Sequence, residues 1–177
     1  MAAGIYPRAE RVFRPWKNGG GTTAELLAAP AGSGFDDFDW RISTARVEAS
    51  GPFSLFPGVD RVLTVLEGGA IALEIAGVRH ALDADSAPFT FPGDVPCFGH
   101  LDAGPLLDLN VMVRRPWTAE VRRGPLDARA TGLALLLEDA GGLSRLDLVD
   151  LAAADPALVQ AITGAAAVAI AIRAGNA

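Results

Sequence analysis

Between residues 40 and 113 apolar and polar side chains alternate in short runs, and turn residues punctuate them. Alternation of this kind makes half-buried strands; a helix would need apolar positions every three or four residues. Trp40 to Val47 puts Trp40 and Ile42 on one face and Arg41 and Ser43 on the other. Arg61 to Leu66 is a second run. Ile71 to Ile75 and Val78 to Leu82 flank Ala76-Gly77, a two-residue hairpin signal. Phe89 to Phe91 stops at Pro92-Gly93. Leu107 to Val113 places Leu107, Leu109, Val111 and Val113 on one face and Asp108, Asn110 and Met112 on the other. Beyond Pro116 three more apolar strands are expected at Leu133 to Leu137, Leu146 to Leu151 and Ala165 to Ile172. A short helix over Ala157 to Ile162 follows Asp155-Pro156 and ends at Gly164. The expectation is an all-β chain in one compact unit, with residues 1–116 forming a first β domain and residues 117–177 a smaller β half packed on it.

Several function classes are excluded by composition. The 177 residues carry a net charge of −6, which repels nucleic acid and anionic lipid at long range. The pairs Arg114-Arg115 and Arg122-Arg123 are too small to offset it. Cys97 is the one cysteine, so no internal disulfide can form, as expected in a reducing compartment. The start of the chain, charged and proline-containing, does not read as a signal peptide. The run GAAAVAIAI is too short to span a bilayer. A cytoplasmic location is expected, with no nucleic-acid or membrane partner.

The segment from Leu63 to Pro96 resembles the centre of a cupin barrel: a strand ending in Glu67-Gly68, a hairpin, a turn at Leu82 to Ser86, and a strand ending in a Pro/Gly loop. The resemblance implies a cupin-like β-barrel or jelly roll. In metal-binding cupins two histidines and a glutamate come from the first motif and a third histidine from the second. Seven residues before Gly68 stands Arg61 in place of the glutamate. No histidine lies within Ser54-Leu55-Phe56-Pro57, and Cys97 stands five residues after Pro92. A guanidinium in that position repels a divalent cation, and His80 and His100, the only histidines, cannot rebuild the set. No metal or other cofactor is expected.

The same arginine suits a carboxylate, which it can hold through two parallel hydrogen bonds. If the polar strand faces point inward, Arg41, Ser43, Arg61, Asn110 and Met112 converge on one small-molecule pocket. Phe53 and Phe56 are candidates for its wall and Ser54 for its rim. In Asn18 to Thr22 the three glycines could let backbone N–H groups approach a ligand, or could serve a turn that needs positive φ. Asn18 and Thr22 are counted as ligand contacts on the first reading. Arg61 could instead pair with Asp60, Glu67 or Asp108. Trp16 and Trp40 are packing residues on this reading. Cys97 with His100 is a weak nucleophile–base signal. Asp108 is either an ion-pair partner or a general base.

A narrower resemblance rests on Trp16-Lys17-Asn18-Gly19-Gly20-Gly21-Thr22, Phe38-Asp39-Trp40-Arg41-Ile42-Ser43, Gly51-Pro52-Phe53-Ser54, Phe56 to Arg61, Phe91-Pro92-Gly93-Asp94 and Asp108 to Arg115. Together these blocks are similar to the HutD/Ves family of cupin-like proteins. That resemblance implies a two-cupin (bicupin) fold, often dimeric, linked in bacteria to histidine utilisation. It implies binding of an intermediate such as urocanate or a formylated glutamate derivative, with a moderating role in the pathway. Members often carry Arg where this chain has Ala24, so specificity can differ. The leading expectation is a metal-free, non-enzymatic binder of a small carboxylate, possible as a homodimer. The alternatives are a metal-free isomerase or hydrolase acting on the same class through Asp108, His100 or Cys97, and a structural partner protein with a vestigial pocket.

Overall fold

The computed structural model describes residues 3–175. In chain order the strands are β1 (Ile5–Tyr6), β2 (Arg14–Pro15), β3 (Gly21–Ala29), β4 (Trp40–Val47), β5 (Gly51–Pro52), β6 (Val59–Gly68), β7 (Ile71–Ile75), β8 (Val78–Leu82), β9 (Phe89–Pro92), β10 (Cys97–Leu101), β11 (Leu106–Arg114), β12 (Thr118–Pro125), β13 (Leu133–Leu136), β14 (Leu148–Asp150) and β15 (Ala166–Arg173). One helix, α1 (Pro156–Ile162), starts on the Asp155 side chain, which accepts a hydrogen bond from the Ala157 N–H, with Pro156 at the first position. No helix among the described residues is long and apolar enough to cross a membrane.

The described chain divides into two compact units, one of residues 12–118 and 174–175, the other of residues 3–11 and 119–173. The first is a jelly roll of two sheets, ordered β2-β3-β4-β11-β6-β9 and β5-β10-β7-β8. It is not a closed barrel. Between its sheets lies a core of Val47, Leu63, Val65 and Leu106 from the larger sheet against Ile71, Leu73, Leu82 and Cys97 from the smaller. The β7–β8 turn is the expected two-residue hairpin: Ala76 and Gly77 both have positive φ, 49° and 78°, as a type I′ turn requires.

The second unit is a sheet in the order β1-β14-β13-β15-β12 with α1. Its core joins Leu126, Ala134, Leu136, Val149, Ile162 and Ala167. The carboxylate of Asp147 holds the incoming chain, accepting from the N–H of Arg8 at 2.7 Å and of Ser144 at 2.9 Å.

The glycine segment resolves into separate duties. Gly19 has φ +73° and turns the chain. Gly20 donates its N–H to the Asn18 side chain at 3.0 Å. Gly21 opens β3 opposite Val47, where a Cβ would sit 2.2 Å from the Arg46 carbonyl oxygen. The turn is thus fastened by its own residues.

Candidate functional site

Arg61 on β6 and Arg41 on β4 are both cross-strand neighbours of Met112 on β11. The next rung on the same face is Ser43–Asn110–Leu63 and the one after it Ala45–Asp108–Val65. Because strand side chains alternate, these three rungs share one face. Leu63 and Val65 belong to the core between the sheets, so the face looks into the jelly roll. The alternation that grouped Arg41, Ser43, Arg61, Asn110 and Met112 is therefore carried by the register.

Arg61 is the centre of the face. It is 4% exposed. Phe53, Phe91 and Phe56 surround its guanidinium, with ring centroids at 5.1, 5.1 and 5.6 Å, close enough for cation–π attraction. Nη1 donates to the Ser54 carbonyl at 3.3 Å, and Nε has no partner. Burial lowers its pKa to about 10 while Asp108 and Cys97 oppose the shift; it remains a cation at neutral pH. Asp60, one of its proposed partners, pairs instead with Arg115 at 2.8 Å. A buried guanidinium with most of its donors uncommitted is short of an acceptor.

Asp108 is 1% exposed. It is not ion-paired to Arg61, which corrects the default expectation of a structural pair. Burial pushes its pKa up from 3.8 to about 7, against the pull of Arg61 and of a hydrogen bond from the Ala45 backbone. Its Oδ1 and the Oδ1 of Asn110 lack partners. Between pH 4 and 7 the folded chain holds a proton that the unfolded chain has released. Asp108 therefore destabilises the fold as pH rises through that window, and the full penalty stands above about 7. Asp108→Asn should accordingly raise stability by about 2 kcal/mol or more at pH 8, each pKa unit being worth about 1.4 kcal/mol. The gain should disappear at pH 4, as denaturant titrations at the two pH values would show.

Aromatic rings flank Arg41 and Met112. Arg41 makes an ion pair with Glu25 at 2.5 Å and lies 4.3 Å over the Phe35 ring. Phe56 lies 5.9 Å from Phe35 and 6.4 Å from Phe38. Met112 packs with Phe38, Val59 and Phe56. Two devices fix these loops. Asp94 accepts from the Gly58 N–H at 2.6 Å and pairs with Arg115. Arg114 donates through Nε to the Phe38 carbonyl at 3.0 Å, through Nη2 to Asp36 at 3.2 Å and through Nη1 to Pro57 at 3.5 Å. Arg114→Met should cost about 1 kcal/mol, chiefly by stranding the part-buried Phe38 carbonyl. Hydrogen exchange at residues 35–38 and 56–58 should accelerate; unchanged exchange there would reject this role for Arg114.

The other candidates have different surroundings. Phe53 is in the Arg61 cage, and Gly99 makes room for it, since a Cβ there would meet the ring at 2.7 Å. Ser54 contributes its carbonyl, its residue being exposed. Asn18 is engaged in its own turn. Thr22 pairs across from Arg46, on the face opposite Arg41 and Ser43. Cys97 and His100, an odd number of residues apart on β10, point to opposite faces. His100 contacts Glu74 at 3.0 Å and the thiol pKa is raised by burial, so the structure does not assemble that nucleophile–base pair. Phe91 and Phe35, supplied from separate segments, were not among the candidates, and neither was Arg114.

Among the described residues no group of three His, Cys, Asp or Glu side chains could hold a metal ion. At the position of the cupin glutamate a buried cation stands among three rings, and this donor set does not fit a divalent metal.

The fold and this interior face define a cupin-like jelly roll that carries a buried guanidinium between its sheets. The HutD family model matches residues 8–169, and the chain belongs to the HutD family. It is 45% identical over 102 residues to protein Ves of Citrobacter koseri, covering 56% of this chain and 52% of that one. It is 40% identical over 114 residues to an uncharacterized 21.2 kDa protein in the hutC 3′ region of Pseudomonas putida, covering 63% of this chain and 56% of that one. The chain thus spans about half the length of the curated relatives it matches. A structure of HutD from Pseudomonas fluorescens, in a formate condition, superposes with TM-score 0.77 at 27% identity, over 97% of this chain and 98% of that one. A conserved protein of unknown function from Pseudomonas aeruginosa gives 0.69 at 26% identity, over 99% and 94%.

Proposed function

We propose that this protein binds a small carboxylate metabolite without a metal and thereby moderates histidine utilisation in the cytoplasm. The observation that carries the reading is Arg61: a buried guanidinium with an unpartnered Nε and a single hydrogen bond, to a backbone carbonyl. A carboxylate can accept two parallel hydrogen bonds from such a fork, and the low-dielectric surroundings strengthen them. The aromatic wall suits a ligand with a planar or apolar body. The link to histidine breakdown is supported by the HutD name of the family and by the position of the P. putida relative in a hutC region. Urocanate and formylglutamate are the first candidates because each carries the required carboxylate.

A thermal-shift screen tests this with urocanate, formylglutamate, formiminoglutamate, histidine and unrelated dicarboxylates, with and without chelator. A concentration-dependent rise in melting temperature that chelator leaves unchanged is expected. A flat panel, or a large loss of stability in chelator, would reject the reading.

A second reading, a metal-free isomerase or hydrolase, is favoured by Asp108 alone. Its titration near pH 7 on the Arg61 face suits a general base. It predicts that a bound candidate is consumed, which chromatography of the incubated mixture would detect.

A further inference from the structure

Asp108 and Arg61 lie on one interior face, two rungs apart, with Asn110 on the rung between. Both are almost wholly buried, at 1% and 4% exposure. They do not meet as an ion pair, and the Oδ1 of Asp108 and the Nε of Arg61 are both without partners. The cation therefore acts on the carboxylate through space while keeping its donors available.

This arrangement constrains what happens when a second anion arrives. A ligand carboxylate on Arg61 cancels the positive field that favours ionised Asp108 and adds a negative charge nearby. Two carboxylates facing one guanidinium in a low-dielectric interior cannot both stay ionised at little cost. Resting on the carboxylate-binding reading above and adding its regulation, we propose that the site takes up one proton on Asp108 for each carboxylate bound at Arg61. The proton comes from solvent. The protonated carboxyl then has an O–H to donate, and the chamber's charge returns to what it was before binding.

The other groups around this face do not compete for the proton. Arg61 on β6 is already charged and stays so. Arg41 on β4 is committed to Glu25 on β3. The Cys97 thiol on β10 is held protonated, its pKa raised by burial. His80 on β8 stacks on Phe89 with ring centroids 4.5 Å apart. It serves as the control. Asp108 is poised for the role, since its midpoint of about 7 leaves it substantially ionised before ligand arrives at pH 8.

Propanoate and formate, both ionised throughout pH 6–9, are suitable probes of the intact chain. Their dissociation constants would be measured by NMR titration from pH 6 to 9, and proton uptake by an indicator dye in weak buffer at pH 8. Affinity should be flat below about pH 6 and fall toward tenfold per pH unit above the Asp108 midpoint, with close to one proton absorbed per anion bound. Asp108→Asn, which keeps the side chain's shape, should bind at pH 8 and lose the pH dependence; His80→Gln should keep it. The wild-type proton count needs no variant, so the idea stays testable if Asp108→Asn misfolds. Binding that is flat with pH and absorbs no proton overturns the coupling and leaves carboxylate binding intact. A pH dependence that survives Asp108→Asn, or disappears in His80→Gln, overturns the assignment to Asp108. No binding of either anion at pH 6, where the site is most receptive, overturns the carboxylate reading and the coupling together.

Discussion

Arg61→Met should lose at least a hundredfold in affinity for any carboxylate the thermal-shift screen detects, yet melt at or above the wild-type temperature. The two halves of this expectation have separate causes. Affinity falls because methionine offers no donor, and a hundredfold corresponds to about 2.7 kcal/mol, within the range for losing a charge-assisted bidentate contact. Stability holds because burying the guanidinium is itself costly, as its lowered pKa of about 10 shows. Methionine has comparable length and packs well against Phe53, Phe56 and Phe91. Arg61 has no carboxylate in direct contact, so the substitution removes the desolvation cost of a buried cation and breaks no direct ion pair. Arg61→Lys separates charge from geometry: it keeps the cation but not the planar fork, and should fall between wild type and Arg61→Met. Calorimetry and thermal melts on the three proteins decide the matter. Retention of affinity within threefold in Arg61→Met would mean that the ligand sits elsewhere.

The second large effect is on folding. Gly21→Ala should destabilise the protein by about 3 kcal/mol or more, while Gly20→Ala changes it by less than about 1 kcal/mol. The adjacent glycines differ in what a methyl group would strike. At Gly21 it meets the Arg46 carbonyl oxygen at 2.2 Å and the Trp16 ring at 3.2 Å. The carbonyl belongs to the neighbouring strand and cannot swing aside without breaking the β3–β4 pairing. At Gly20 the nearest atom is the Asn18 side-chain oxygen at 3.4 Å, an ordinary contact. For a chain of this size 3 kcal/mol is about 6–12 °C in melting temperature. Equal melting of the two variants would show that the start of β3 is not packed as described.

The strands that carry the site were legible because their alternation is clean. Residues 40–43 and 107–113 alternate apolar side chains with Arg41, Ser43, Asp108, Asn110 and Met112, so the sequence alone groups these on one face of their strands. β3 was not legible. A bulge between Glu25 and Leu27 breaks its alternation, and its Ala, Leu and Glu residues favour helix as readily as strand. β10 and β12 were missed for other reasons. The first is five residues long with a glycine at its centre, and the second is a partly exposed edge strand ending in Gly-Pro. Within the site, the vacated metal position pointed to Arg61. Of the three rings around it, Phe53 and Phe56 lie close together and were candidate wall residues, whereas Phe91 comes from β9 and no local pattern joins it to them. Arg114 was equally invisible, because its partners are backbone carbonyls 57 to 78 residues away. Asp108 was noticed as a possible base, but that it stands apart from Arg61 is a fact of three dimensions.

The sheet order β1-β14-β13-β15-β12 has a consequence for synthesis on the ribosome. β1 is made first, yet it pairs with β14, Ile5 opposite Val149 and Tyr6 opposite Leu148. Its partner follows it along the chain by more than 140 residues. The jelly roll over residues 12–118 is complete well before that partner and can fold while the segment before it waits unpaired. Closing the later sheet carries the loop entropy of that long separation. Deleting residues 3–8 would leave the β14 edge unpaired and Asp147 without the Arg8 N–H. A change before the jelly roll would therefore be felt in the unit that is completed after it.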